Sequence, residues 1–220
     1  MAVDRRHQAS AARLRALVEQ GPRQPSLFRE ALLRVPPSAR DGCVDFALGL
    51  GALPDDSPQL PNGCVPYLPC AVDTLLRLVE QAPVRASDVF VDIGSGVGRA
   101  AVLVSLLTGA AVVGLEIQLA LVSEARRLAS RLNLADASFL EGDAVELMSD
   151  LAVGSTFLLY CPFSGERLLK VLAVLERVAR RRAIRICCVD LPLPSRSWLT
   201  PAIPESLELA IYRSTLAEEA

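Results

Sequence analysis

Asp88-Val-Phe-Val-Asp-Ile-Gly-Ser-Gly-Val-Gly-Arg99 decides how the other residues of this 220-residue chain are read. Val89 to Ile93 is a run of β-branched and aromatic residues broken only by Asp92, the pattern of a strand buried on both faces. Gly94, Gly96 and Gly98 follow at alternate positions. Behind them, Ala100-Ala-Val-Leu-Val-Ser-Leu-Leu107 reads as a helix that stops at Thr108-Gly109. A strand, a glycine turn and a helix together bring a ligand against bare backbone. Glycine accepts positive φ and has no Cβ to hold a ligand away. The start of the helix adds N–H groups and the positive end of its dipole.

Outward from this unit, strands and helices alternate. Strands are expected over 111–115, 137–140, 156–160 and 184–189, and helices over 98–108, 119–132 and 165–181, with a short helical turn at 144–150. Upstream, Val65-Pro-Tyr-Leu-Pro69 leads into a helix over 70–82 with Leu75, Leu76 and Val79 inward. In 119–132, Leu121, Ala125, Leu128, Ala129 and Leu132 share one face, and Asn133 suits the left-handed position after the last turn. In 165–181, Leu168, Val171, Leu172, Leu175 and Val178 repeat that stripe, with Ser164 placed to cap. In 98–108, Val102 and Val104 would suit a strand; the length and the preceding glycine turn decide for a helix buried on most sides. Residues 190–206 carry prolines and no helical period. Leu207-Glu-Leu-Ala-Ile-Tyr-Arg213 alternates, and is expected to pair antiparallel at the end of the sheet. The fold class is α/β: a doubly wound, mostly parallel sheet with an antiparallel C-terminal strand.

Residues 1–66 read as a small helical appendage and linker, and 67–220 as the ligand-binding domain. The appendage has a helix over 4–20, with Ala12, Leu14, Leu17 and Val18 as its stripe and Gly21-Pro22 as its stop. A second runs from Ser26 to about Val35 and ends at Pro36-Pro37, and a third spans Asp41 to Leu50. Residues 51–66, rich in proline, glycine and aspartate, form a loop. Two roles fit the appendage: packing against the sheet edge, or a lid over the ligand pocket.

Composition removes several function classes. A net charge of −2 and a pI near 5.6 argue against a dedicated nucleic-acid binder. Arg180-Arg181-Arg182 reads as cations at a helix C-terminus rather than a basic patch. The six cysteines make no Cys-x-x-Cys pair and the one histidine is His7, so no metal site is expected. The start lacks the apolar core of a signal peptide, and Ala100 to Leu115 is shorter than the ~20 residues of a membrane span. A cytoplasmic protein with reduced thiols is the expectation.

Three features narrow the ligand. The spacing is Gly-x-Gly-x-Gly, one residue shorter than the dinucleotide fingerprint. Asp92 stands two residues before the first glycine. A carboxylate beside a pyrophosphate would repel it by about 4 kcal/mol at 4 Å and an effective dielectric of 20, so Asp92 suits a ligand with a cationic group. Glu116 closes the second strand roughly twenty residues after the turn, where an acid can accept both hydroxyls of a ribose.

These residues resemble the class I S-adenosylmethionine-dependent methyltransferases. Asp92-Ile-Gly-Ser-Gly-Val-Gly98 is similar to that family's first motif, Gly114-Leu-Glu116 to the acidic end of its second strand, and Glu141-Gly-Asp143 to the end of its third. Leu159-Tyr-Cys-Pro-Phe163 is similar to its fourth motif, at the mouth where the methyl group leaves. The resemblance covers about residues 66–190. Tyr67-Leu-Pro69 ahead of the glycine motif is similar to small protein-lysine methyltransferases with a Tyr-x-Pro segment. Asp88 to Gly98 is also similar to the Dot1-type histone methyltransferases.

The resemblance implies S-adenosylmethionine as cofactor. Asp92 would hold its amino group. Backbone N–H groups of Gly94, Ser95 and Gly96 would meet its carboxylate, with Gly98 completing the turn and Arg99 close by. Glu116 would fix the ribose, Ile117 would flank the adenine and Asp143 would reach the adenine amino group, with Tyr67 ahead of the turn. Tyr160, Cys161, Pro162 and Phe163 would form the catalytic mouth. The fourth motif departs from the pattern of many N-methyltransferases, because Cys161 stands where Asp or Asn would accept a proton.

Plainer readings stand beside these. Asp92 could be a structural acid on the turn, Glu116 an ordinary strand-end acid and Tyr67 packing. Asp143-Ala-Val-Glu146 has the spacing of a capping box. The methyl acceptor is left unidentified, with a protein lysine and a small-molecule amine as the candidates. The rival functions are a nicotinamide-dependent oxidoreductase and a non-catalytic scaffold.

Overall fold

The computed structural model describes residues 4–20, 24–148, 153–204 and 206–215. At its centre is β1 (Val89–Ile93), the strand that opens the glycine turn. It pairs in parallel with β2 (Ala111–Glu116) on one side and β4 (Thr156–Tyr160) on the other. β3 (Ala137–Glu141) lies outside β2, and β5 (Arg185–Val189) outside β4. β7 (Ala210–Ser214) runs antiparallel to β5, and the short β6 (Leu199–Pro201) is antiparallel to β7. The order is β3-β2-β1-β4-β5-β7-β6. The C-terminal ends of β1, β2, β3, β4 and β5 share one edge, where an open α/β sheet binds its ligands.

The period-2 alternation of β1 divides its side chains between two cores. Phe90 lies in a cluster with α4 (Val72–Gln81), α5 (Arg99–Thr108) and α6 (Leu119–Arg131). Val91 and Ile93 face the other cluster, with α8 (Gly165–Ala179) and residues packed from the short α7 (Ala144–Leu147). The expected stripes of α6 and α8 are buried residue for residue, and α5 is buried almost all round. Asn133 has φ 52°. No helix among the described residues is long and apolar enough to cross a membrane.

The N-terminal helices are α1 (Gln8–Val18), α2 (Pro25–Leu33) and α3 (Pro37–Leu48), with a 3₁₀ turn at Arg5–His7 capped by Asp4. Their buried side chains share the cluster that contains α4 and α5. Leu14 and Val18 are buried as expected and Leu17 is half-buried, but Ala11 takes the inward place expected of Ala12, which is exposed. The expected stop at Gly21-Pro22 lies outside the described residues.

Several boundaries differ from expectation for identifiable reasons. Pro37 does not end α2, which has already stopped at Leu33. It starts α3, because proline at the first helical position gives up an N–H that has no partner there anyway. The last strand begins at Ala210 rather than Leu207 and is not the sheet edge, since β6 pairs on its far side. Thr200 and Pro201 carry too short a pattern to mark β6. Ser164 occupies the N-cap of α8 without a side-chain bond. Helix α7 ends at Leu147, and Ser149-Asp150 lie outside the described residues.

Candidate functional site

The glycine turn is held shut by its own hydrogen bonds. Gly94 and Ser95 both donate their N–H to the carbonyl of Leu115, at 2.8 and 3.0 Å, and Gly98 donates to the carbonyl of Ser95 at 2.9 Å. Gly96 donates to Oε2 of Glu116 at 2.9 Å. Two of these glycines are required by close approach. A Cβ on Gly96, at φ 53°, would lie 2.0 Å from Cε2 of Tyr67, whose ring rests on the turn. A Cβ on Gly94, at φ 83°, would lie 2.6 Å from Cβ of Pro162. The first and fourth motifs therefore meet through bare backbone.

Asp92 is buried at the end of β1, on the face toward α5. One carboxylate oxygen takes the N–H of Ala101 in the first turn of α5, while Oδ2 is buried with no partner. Burial, followed by the nearby charge of Glu116, raises its carboxyl to about 7. The structural reading of Asp92 thus accounts for one of its oxygens and leaves the other free to pair. Glu116 is also buried. Its Oε1 accepts from Ile117 at 2.8 Å and Gln118 at 3.0 Å, in addition to the Gly96 bond on Oε2. Desolvation pushes its carboxyl up, opposed by those three N–H groups. A carboxylate offers about four acceptor positions, so roughly one remains for a ligand hydroxyl while the turn keeps its bond.

A cavity of about 200 Å³ opens beside these groups at the strand ends. Its wall includes Tyr67, Gly94, Glu116, Ile117 and the whole run Tyr160-Cys-Pro-Phe163. Asp92, Ser95, Gly96, Gly98, Arg99 and Asp143 are not part of that wall. Asp143 caps α7 through Oδ1, which accepts from Val145 at 2.9 Å, and its Oδ2 is paired with Arg167. The capping role is real, and both oxygens already have partners.

Arg99 points away from the cavity. Its buried guanidinium donates to Asp45 at 2.6 Å, the Cys70 carbonyl at 2.6 Å and Asp41 at 2.8 Å. Asp41 and Asp45 belong to α3, so this arginine ties the N-terminal helices to the first turn of α5. The expected place near a ligand carboxylate does not match these contacts.

The segment 51–69 crosses the cavity. Gln118 receives the N–H of Ser57 at 2.6 Å and donates to Asp56 at 2.8 Å; the same Asp56 oxygen takes the N–H of Tyr67 at 3.0 Å. Val65 donates to the carbonyl of Pro162 at 3.1 Å, and Cys64 bridges to Phe163. Leu60, Cys64, Val65 and Pro66 line the cavity as a result. Sequence reading missed this set, and also Asp190 and Arg167. For Asp190 a signal existed: an acid at the end of a buried strand, directly after β5, much as Glu116 closes β2.

The chain is similar to known proteins in the same region. The family model for the histone methylation protein DOT1 matches residues 67–139. No curated protein matches the chain in sequence. Among solved structures, an RNA methyltransferase from Salinibacter ruber in complex with S-adenosyl-L-homocysteine is 25% identical, over 70% of this chain and 96% of that one, with a TM-score of 0.53. The Escherichia coli protein YhhF, assigned as a methyltransferase, is 18% identical over 74% of this chain and 91% of its own, at 0.54. A Staphylococcus aureus protein assigned as a caffeoyl-CoA O-methyltransferase is 11% identical over 69% and 86%, at 0.52. The last two establish the likeness of fold alone.

Proposed function

We infer that this chain, a class I S-adenosylmethionine-dependent methyltransferase in fold and in family match, transfers a methyl group to an amine on a protein side chain or a small molecule. The observation that carries the reading is Oδ2 of Asp92: buried, unpartnered and two residues before the glycine turn. A second buried carboxylate, Glu116, stands close enough to raise its pKa. Two acids behind bare backbone would repel a diphosphate and favour a cation, which counts against the nicotinamide reading.

The residues fit the cofactor. The remaining acceptor position of Glu116 would take a ribose hydroxyl and Ile117 on the cavity wall would flank the base, while Asp92, behind that wall, would hold the cofactor's ammonium directly or through water. The cofactor supplies a methyl group on a sulfonium, already a strong electrophile. The chain has then to align a neutral nucleophile and keep bulk water out. Tyr160, Cys161, Pro162 and Phe163 would serve that purpose from the cavity lining, together with Leu60, Cys64, Val65 and Pro66 from the segment bonded to them. Alignment of this kind can lower a barrier by about 7–11 kcal/mol without a dedicated base. The Salinibacter protein acts on RNA; in this chain the cavity wall carries Glu116 and Asp190, and its one arginine, Arg167, is paired with Asp143. That charge favours an amine over a polyanion.

Calorimetric titration with S-adenosylhomocysteine and with NAD tests the reading. S-adenosylhomocysteine is expected to bind and NAD not to. Tight binding of NAD alone would overturn the assignment. Binding of S-adenosylhomocysteine with no methyl transfer to any amine would favour a scaffold.

A further inference from the structure

β4 and β5 end in the same unusual way. Tyr160 and Val189 are paired residues in neighbouring parallel strands. The next residue in each strand is left-handed without being glycine: Cys161 at φ 38° and Asp190 at φ 51°. Such residues are uncommon and strained, and they gather at functional sites. Here both line the same cavity. The backbone of Asp190 is fixed by its N–H on the carbonyl of Leu207 at 2.7 Å. Its side chain is exposed, and among the described residues it has no salt bridge. Two exposed apolar side chains line the same cavity, Leu68 at 61% and Val65 at 39% exposure.

We propose that Asp190 is the carboxylate that receives and orients the alkylammonium group of the methyl acceptor, with Val65 and Leu68 on the same cavity wall holding its methylene chain. The proposal rests on the methyltransferase reading and assigns a residue that no motif marks. An anion set among apolar side chains matches a primary amine on a flexible aliphatic stem, such as a polypeptide lysine or a free polyamine. An acceptor arriving as an ammonium loses one proton to the solvent that reaches Asp190. The nitrogen lone pair then forms the N–C bond as the C–S bond breaks, and that bonding pair stays on sulfur. The product is a methylammonium, whose charge Asp190 balances. The carboxylate is not consumed and takes no part in bond making.

The test is titration of the S-adenosylhomocysteine-loaded full chain with three probes: Nα-acetyl-lysine amide, spermidine, and Nα-acetyl-norleucine amide as the uncharged control. Saturable binding of a cationic probe, at least tenfold tighter than the norleucine control, is expected. Preference for the lysine amide points to a polypeptide source, and preference for spermidine to a free polyamine. Asp190→Asn should weaken the preferred probe at least tenfold and leave S-adenosylhomocysteine affinity within twofold. Asp190→Gly relieves the left-handed strain, so a purely structural role predicts a variant at least as competent as the parent. The proposal predicts instead a chain of equal or higher melting temperature that no longer binds the cationic probe. Full probe binding by Asp190→Gly, equal binding of the norleucine control, or no binding of either cation to the parent chain would each overturn it. Loss of S-adenosylhomocysteine binding by the parent chain would instead overturn the cofactor assignment.

Discussion

Asp92→Asn isolates the electrostatic centre of the site. In the fold this carboxyl is raised to about 7 from its ordinary 3.8, because burial removes water from the ionised form and Glu116 adds a like charge. Between those values the folded chain holds a proton that the unfolded chain has released. Its stability is therefore fully present below about pH 4 and falls as the pH rises through 7. At 1.36 kcal/mol per pH decade, the whole cost is about 4 kcal/mol. Asn keeps an oxygen for the Ala101 N–H and cannot ionise. The stability of the variant minus that of the parent should rise by about 1.4 kcal/mol per pH unit between pH 5 and 7, and level off above 8. Urea melts of both proteins at pH 5, 6, 7 and 8 measure this difference, in which other titrating groups cancel. The same ionisation should govern the ligand. Affinity of the parent for S-adenosylhomocysteine should fall about tenfold per unit below pH 7, while the variant binds at least tenfold more weakly at pH 7.5 and without that slope. Parallel stability curves for the two proteins, or unchanged affinity in the variant, would refute the argument.

Replacing both Asp41 and Asp45 by Ala leaves the buried Arg99 guanidinium with the Cys70 carbonyl as its one remaining partner among those named. A loss of about 3 kcal/mol is expected in chemical denaturation, the low end of the range for breaking a buried pair because Asp41 is half exposed. S-adenosylhomocysteine affinity at a temperature where the variant is folded should change less than twofold; a tenfold loss would return Arg99 to the ligand. Gly96→Ala should destabilise the fold and weaken S-adenosylhomocysteine at least tenfold, from positive φ and the ring of Tyr67 together. Adding Tyr67→Ala should recover part of the stability and leave about 1–2 kcal/mol of backbone strain, so additive effects in the double variant would show that the two residues do not touch.

The sheet was legible wherever the pattern was local. The period-2 run at Val89–Ile93 and the helical stripes of 119–132 and 165–181 each declare their buried face within a few residues, and the structure keeps those faces. Glu116, Tyr160 and Cys161 could be placed at the cavity because each ends or directly follows a strand, and strand ends on one edge of a parallel sheet converge. What escaped depends on partners far along the chain. Nothing near Arg99 announces acids 54 and 58 residues earlier, so it read as a first-turn residue facing a ligand. Gln118 looks like an ordinary polar residue until Asp56 and Ser57 are brought to it. The position of β7 between β5 and β6 is likewise set by a partner strand of three residues, too short to carry a period.

The Arg99 junction has a consequence for the chain while it is being made. Asp41 and Asp45 leave the ribosome 54 to 58 residues ahead of the guanidinium that unites them with the sheet. At ~5–20 residues per second, that interval is about 3–12 s. Through that time the first three helices lack α5 from their shared apolar cluster, because α5 begins only at Arg99. Slow codons before residue 99 would lengthen this window and faster ones would close it. The wait for one arginine is thus an interval in which the apolar faces of these helices are open to a holdase.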